Sequence, residues 1–332
     1  MGNVFRILLF LFLVFMFIYW AGPKSDNPVF SNKLKVLNIS LGEIELFLQN
    51  KEKRLPVKPD NQSKIVWDND SLKNKTEYCL LYLHGFSASG YEGFPTHVNF
   101  AAHFHANAYI PRLASHGLDV PEPLLDMTPD RLYESAKEAL QIANILGKKV
   151  VIMSTSTGGT LSLKLAAEFP EMIQGLIMLS PNIKINNPAA FLLSKPWGLQ
   201  IGRRVAGGKY RYINENSEDK ECQYWNCFYR MEATVYLQQL VEYTMDKKLF
   251  KQVNTPVFLG YYYKDEEHQD DVVRVDAMLK MFTQLGTPEN KKRKQTFDAG
   301  VHVIGCEMFS KSQPEVQQAC TDFAENILKM TP

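Results

Sequence analysis

Apolar and polar residues are distributed along this chain in three regimes. The first is an uncharged stretch from Ile7 to Ala21 (ILLFLFLVFMFIYWA), followed by polar, turn-rich residues 24–32. The second regime covers most of the chain, with short apolar runs taking turns with longer amphipathic ones. Leu34 to Leu48 alternates as two early strands would, and Lys51 to Lys64 carries the Pro, Lys and Asn of a loop. Tyr78–Leu83 is continuously apolar, as a strand covered on both faces must be. A helix is predicted from Thr96 to His105 and a short strand from Ala108 to Pro111. Thr128 and Pro129 start a further helix that Gly147 stops after Leu146. Val150–Leu163 (VVIMSTSTGGTLSL) reads as a strand that passes through a tight turn into a helix, and Gly175–Leu179 is another buried strand. In the third regime, Lys184 to Asn254, the alternation pauses in favour of aromatic residues and helical stretches with no obvious strand. It resumes with a strand at Pro256–Tyr263, a helix near Asp270–Gln284, a strand near Gln295–Phe297 and an amphipathic helix from about Gln313 to Lys329. Strands and helices in this order predict an α/β protein with a mostly parallel sheet covered on both faces.

The chemistry suggested by this pattern centres on the turn inside Val150–Leu163. Ser156 stands at its apex, with Ser154 two positions before and Gly158 two positions after. A nucleophile elbow of the form G-x-S-x-G needs small residues at those outer positions, because strand and helix backbones crowd there. Gly158 fits the pattern, and Ser154 is a small departure from it. A Ser/Thr-rich helix cap is the plainer reading of the same residues.

A serine hydroxyl needs a general base in neutral water, and the base needs a carboxylate to orient it. In an elbow-type site these follow the serine in the order acid, then histidine. His302 lies in DAGVHVIG after the last predicted strand. Asp265 comes directly off the strand PVFLGYYYK and is the expected acid; its neighbours Glu266, Glu267, Asp270 and Asp271 form one acidic cluster with it, with Asp271 the second choice. Both positions are at the carboxyl ends of strands, where open α/β sheets build their sites. The developing oxyanion needs two N–H donors. Thr157, next to the serine, supplies one, and Phe86, after His84 and Gly85, supplies the other while its ring faces the acyl pocket.

The segments LYLHGFSASGYEGF, PRLASHG, STSTGG, LGYYYKD and AGVH, in this order, resemble α/β-hydrolases, and within them the monoacylglycerol lipase, lysophospholipase and carboxylesterase branch. The resemblance spans residues 78 to 330, with Ser115 and Ser154 standing where that branch has glycine. It implies an α/β-hydrolase fold with a helical cap inserted after the sixth strand. The domains would be an anchor or signal segment at 1–23, a core at 24–183, the cap at 184–254 and the rest of the core at 255–332. Cap aromatics, Trp197 and Trp225 among them, would join Phe86 in binding the acyl chain. The implied activity is hydrolysis of a carboxylic ester, the substrates being lipid-like small molecules, with no metal or organic cofactor required. Two other readings fit less of the sequence. A serine aminopeptidase would need an acidic pocket, for which Glu215, Glu218, Asp219 and Glu221 are available; a silent binding protein of the same fold would not need the intact Ser, Asp and His.

Composition narrows the setting. A net charge of +1 offers no field for nucleic acid, and Lys291, Lys292, Arg293 and Lys294 read as a solvated loop. The uncharged run, about 22 Å long as a helix, ends in the interface-favouring pair Tyr19 and Trp20 and lacks a small-x-small cleavage site. It is expected to be an uncleaved membrane anchor, with a cleaved signal peptide as the alternative and the exported side favoured. Of five cysteines, Cys222 and Cys227 are spaced for a local disulfide in an exported domain, and sequons begin at Asn38, Asn61, Asn69 and Asn74. His97, His103 and His105 lack the carboxylate or thiol neighbours of a metal site.

Overall fold

The computed structural model describes residues 2–213 and 220–332. Helix α1 (Gly2–Trp20) projects its apolar side chains into solvent, and α2 (Ile44–Glu52) and strand β1 (Lys64–Val66) lead into the core. There follow β2 (Thr76–Leu83), α3 (Thr96–His103), β3 (Asn107–Ile110), α4 (Pro129–Leu146), β4 (Gly147–Thr155), α5 (Thr157–Glu168) and β5 (Gly175–Leu179). Between β5 and the next core strand lie α6 (Gly198–Val205), the short antiparallel pair β6 (Tyr210–Tyr212) and β7 (Phe228–Arg230), α7 (Lys220–Tyr224), α8 (Met231–Thr244) and α9 (Lys247–Gln252). The chain ends with β8 (Val257–Tyr262), α10 (Val275–Gln284), β9 (Lys292–Phe297) and α11 (Gln313–Phe323).

Seven strands form one sheet in the order β1-β3-β2-β4-β5-β8-β9, parallel throughout except for β1, which runs antiparallel to β3. The central strands are apolar on both faces because each face is covered. Leu81, Leu83, Ile152, Met178 and Leu259 pack under α4, α5 and α10, and Leu80, Tyr82, Met153, Ile177 and Phe258 pack under α3 and α11. The α/β-hydrolase architecture expected from the sequence is therefore present. Helix α4 has the expected limits, with Thr128 as N-cap residue, Pro129 in the first turn and Gly147 at the C-cap.

Four expectations for the local structure need correction. Leu34–Leu48 contains no strand: residues 34–40 run as a strap and α2 begins at Ile44, its entry held by Glu43, whose carboxylate accepts from the Ser40 N–H and hydroxyl. With those two strands absent and β1 added, the cap segment follows the fifth strand of the chain rather than the sixth. The cap contains the small β6–β7 pair, although no strand was expected there. Finally, Lys292, Arg293 and Lys294 belong to β9 rather than a loop. Charged side chains suit this edge strand, since they oppose pairing with another chain.

The polar residues after α1 are also packed. The buried Lys137 ammonium donates to the Ser31 and Lys33 carbonyls at 2.8 Å each, Gln239 donates to the Asp26 carbonyl at 2.8 Å, and Phe30 packs edge-on against Tyr133. Burying an ammonium this deeply is costly unless it is hydrogen-bonded in this way. The strap thus links α1 to both α4 and the cap helix α8.

Candidate active site

The turn between β4 and α5 forces Ser156 into an unusual backbone conformation, with φ 52° and ψ −118°. For a residue with a Cβ this is strained, and such strain concentrates at functional sites. Hydrogen bonds hold it in place: the Ser156 N–H donates to the Leu179 carbonyl at 3.1 Å, and the Ser156 carbonyl accepts from the N–H groups of Gly159 at 2.9 Å and Asn182 at 2.8 Å. Gly158 cannot be replaced freely, because a Cβ there would lie 1.9 Å from the Leu83 carbonyl oxygen at the end of β2. Ser154 fits where a glycine was expected, fully buried, at the cost of a hydroxyl with no hydrogen-bond partner among the described residues.

The loop after β8 contains the correction that matters most. Asp265 is exposed and spends its Oδ1 on the N–H groups of Glu267 and His268 and on the His268 ring at 2.7 Å. The carboxylate that meets His302 is Asp270, whose Oδ2 accepts from His302 Nδ1 at 2.7 Å. A bridge between Tyr263 and Gln269 turns residues 264–268 outward and brings the chain back to the strand end, where the Asp270 N–H donates to the Tyr262 carbonyl. The other oxygen, Asp270 Oδ1, accepts from the N–H groups of Val272 and Val273 at 3.0 Å each. Asp271, the second choice, does not hydrogen-bond His302.

The pair is almost entirely buried: Asp270 is 1% exposed. Burial alone would push the Asp270 pKa up, yet His302 and the two backbone donors hold it below the ordinary carboxylate value. Burial disfavours charge on His302 as well, but the Asp270 carboxylate outweighs that and raises the imidazole pKa. His302 Nε2 is buried with no partner among the described residues, so the ring presents one free nitrogen.

On the other side of Ser156, the loop His84-Gly85-Phe86 is clamped. His84 Nε2 accepts from the Leu113 N–H at 3.2 Å, which assigns the proton to Nδ1 and makes it the donor to the Gly85 carbonyl at 2.9 Å. Burial lowers the His84 pKa to about 4, so the ring stays neutral in this role. Because the Gly85 carbonyl and the Phe86 N–H belong to one trans peptide plane, fixing the first fixes the direction of the second. Among the described residues, neither the Phe86 nor the Thr157 N–H is spent on another acceptor. The Phe86 ring packs edge-on against Tyr229 of β7 and His116.

The two cap tryptophans separate. Trp225 packs edge-on against Phe309 in the loop that follows His302, and its neighbour Asn226 donates to the Ser87 carbonyl, which places it at the rim of this edge of the sheet. Trp197 is engaged elsewhere: its indole N–H donates to the Ile18 carbonyl at 3.0 Å and its ring fills the space beside Gly22, at the end of α1. The indole expected to bind an acyl chain is thus held by α1, and it makes no hydrogen bond or ring contact with Ser156, His302 or Phe86. Of the acidic residues considered for an amine pocket, Glu215, Glu218 and Asp219 lie outside the described residues, and Glu221 is half-buried in α7.

His97, His103 and His105 are used singly, by the Gly90 carbonyl, Glu325 and Asp68 respectively. Cys222 and Cys227 are joined in a disulfide.

An elbow serine, a buried Asp–His pair and two unspent N–H donors along the carboxyl edge of a parallel sheet define the architecture of an α/β-hydrolase. The alpha/beta hydrolase family model matches residues 80–305, most of the chain, and the protein belongs to that family. Solved structures share its fold at low identity. One, from work on the metagenome-derived lipolytic enzymes LipS and LipT, has a TM-score of 0.62 at 16% identity, covering 80% of this chain and 98% of its own. The monoacylglycerol lipase of Paleococcus ferrophilus has a TM-score of 0.59 at 12% identity, covering 81% and 98%. Est1E of Butyrivibrio proteoclasticus, with ferulic acid bound, has 0.51 at 16%, covering 81% and 95%. Among curated proteins, U3 small nucleolar RNA-associated protein 20 of Schizosaccharomyces pombe is 22% identical over 203 residues. That match takes in 58% of this chain but spans only 8% of the relative's length.

Proposed function

We propose that this protein is a membrane-anchored serine hydrolase that cleaves carboxylic esters of lipid-like acyl groups through an acyl-enzyme on Ser156. The observation that carries the reading is the Asp270–His302 hydrogen bond, which leaves one free imidazole nitrogen at the edge of the sheet where the strained Ser156 stands. In this mechanism the Ser156 Oγ attacks the ester carbonyl carbon as its proton passes to His302 Nε2. The carbonyl π electrons move to oxygen, and the resulting oxyanion is received by the Phe86 and Thr157 N–H groups, each donor of this kind lowering the barrier by about 3 kcal/mol. Collapse expels the alcohol, which takes the proton from His302, and water then repeats the sequence to release the acid. Asp270 holds the His302 tautomer and stabilises the imidazolium.

Lipid-like substrates are supported by the setting of the cap. Helix α1 is long and apolar enough to cross a membrane, at about 28 Å for its 19 residues. Its carboxyl end meets the cap directly, with the Trp197 N–H donating to the Pro23 carbonyl and the indole to Ile18. The same part of the cap leaves Phe191, Ile201 and Val205 exposed, on or near α6 with its Arg203 and Arg204. A bilayer holding α1 would therefore lie beside an apolar, basic cap edge. The disulfide and the exposed sequons at Asn38, Asn69 and Asn74 suit the exported side.

The test is turnover of p-nitrophenyl esters from acetate to palmitate, of monoacylglycerols and of peptide amides, by the full chain in detergent. Preference for medium or long acyl esters, abolished by Ser156→Ala, is expected. Amide cleavage without ester cleavage would instead identify a peptidase.

A further inference from the structure

Glu92 is a buried titratable group at the site that the mechanism above does not use. It lies in the turn before α3 and is 2% exposed. Its Oε2 accepts from the Gly85 N–H, and a Cβ added at Gly85 would come within 2.7 Å of Glu92 Oε1 and 2.9 Å of Ser156 Cβ. The carboxyl and the nucleophile thus flank the same glycine, and His302 lies close enough for the two charges to act on each other.

Building on the hydrolase reading above, we propose that Glu92 is a positioning residue of this site. It fixes the oxyanion loop through Gly85 and, as a second carboxylate beside Asp270, stabilises the imidazolium that His302 becomes when it takes the Ser156 proton.

The loop contact by itself does not explain a glutamate. A glutamine carbonyl would accept from Gly85 equally well without the cost of burying an ionisable carboxyl. Among the described residues no lysine or arginine pairs with Glu92 to offset that cost. What distinguishes the carboxylate from the amide is charge, and the cation it can answer is the imidazolium that forms when His302 takes a proton.

Three of its neighbours, Tyr82, His97 and Cys306, are neutral in the working range. Tyr82 on β2 hydrogen-bonds Thr155 on β4, and burial raises its pKa well above that of an ordinary phenol. His97 on α3, edge-on to Tyr82, is lowered to about 4 by burial. The Cys306 thiol, on the loop after His302, is pushed up to about 12, with Glu307 beside it adding negative charge. Asp270 and Asp271 face His302 from the loop after β8. Burial raises Glu92 itself to about 7 against the opposing pull of the Gly85 N–H, His302 and the Tyr82 hydroxyl, so carboxyl and imidazole titrate as a coupled pair.

The experiment is the pH dependence of kcat/KM from pH 5 to 10 on a p-nitrophenyl ester for the wild type and Glu92→Gln, with Ser156→Ala alongside. Glu92→Gln keeps an acceptor for Gly85, so it should move the acid limb to lower pH by about one unit and lower the plateau about tenfold. An unmoved acid limb, whatever the plateau, would reduce Glu92 to a loop support and overturn the proposal. If Glu92→Gln does not fold, the His302 imidazole is titrated by NMR in the wild-type protein. A two-step titration is expected there, and a single simple step would refute the coupling. Undiminished turnover by Ser156→Ala would defeat the hydrolase reading itself, an outcome separate from either result for Glu92.

Discussion

Asp270 Oδ2 accepts a 2.7 Å hydrogen bond from His302 Nδ1, across 32 residues of sequence and between the ends of two adjacent parallel strands. Removing the negative charge while keeping the shape should leave the ring in the wrong tautomer. Asp270→Asn is therefore expected to lower kcat about 10³- to 10⁴-fold. Asp265→Asn, which touches only an exposed turn, should stay within about twofold of wild type by the usual behaviour of surface changes. Steady-state kinetics on one soluble ester compare the two.

The acid limb of activity follows from the same pair. His302 can accept the serine proton only when its Nε2 is unprotonated, and Asp270 raises the imidazole pKa against the opposing effect of burial. Activity should consequently fall as pH drops through a value above the ordinary histidine pKa of about 6.5, rather than below it. A kcat/KM profile measures this directly, and Asp270→Asn should shift the remaining activity's acid limb downward.

Gly158 tests the elbow as architecture. A methyl at this position would lie 1.9 Å from the Leu83 carbonyl oxygen, a backbone atom of a central strand that has little room to move. Gly158→Ala is expected to destabilise the fold by about 3 kcal/mol or more through overpacking. The midpoint of urea unfolding reports it.

Ser115 gives the opposite sign. It holds φ 64° without being glycine, and the left-handed region costs about 1–2 kcal/mol for a residue with a Cβ. Glycine would relieve that while adding about 0.5–1 kcal/mol of unfolded-state freedom. Ser115→Gly should thus stabilise by roughly 0.5 kcal/mol, the difference between those terms. Denaturant midpoints of the two proteins decide it.

Trp197 separates anchoring from chemistry. Its indole serves the end of α1. Trp197→Ala should leave kcat on a water-soluble ester within about twofold of wild type, since it removes no group at the reacting atoms. It should loosen the cap against α1, read as faster proteolysis around residues 20–30 of the detergent-solubilised protein.

The sheet could be read from the sequence because its central strands are covered on both faces, which leaves continuous apolar runs such as Tyr78–Leu83 and Gly175–Leu179. Helix α4 could be read because its cap, proline and terminal glycine all agree. The elbow and the late histidine are carried by local signals of the same kind. The partner of that histidine is not. Five acidic residues share one loop, and only the Tyr263–Gln269 bridge decides which of them returns to the strand end. Distance along the chain from the strand favours Asp265, whereas the turn takes that residue away from the site. Helix α2 does carry a local signal. Ser40-Leu41-Gly42-Glu43 is an S-x-x-E capping box, and it announces α2 more strongly than the alternation announces strands. The engagement of Trp197 by α1 has no local signal, since it joins residues 179 apart.

The most direct measurement is mass spectrometry of the full-length protein after reaction with a fluorophosphonate, a reagent that phosphonylates an activated serine. A single adduct on the peptide containing Ser156, formed by the wild type and lost in His302→Ala and in Ser156→Ala, is the predicted result. An unmodified Ser156 in folded protein, or an adduct on another residue that survives His302→Ala, would contradict the account.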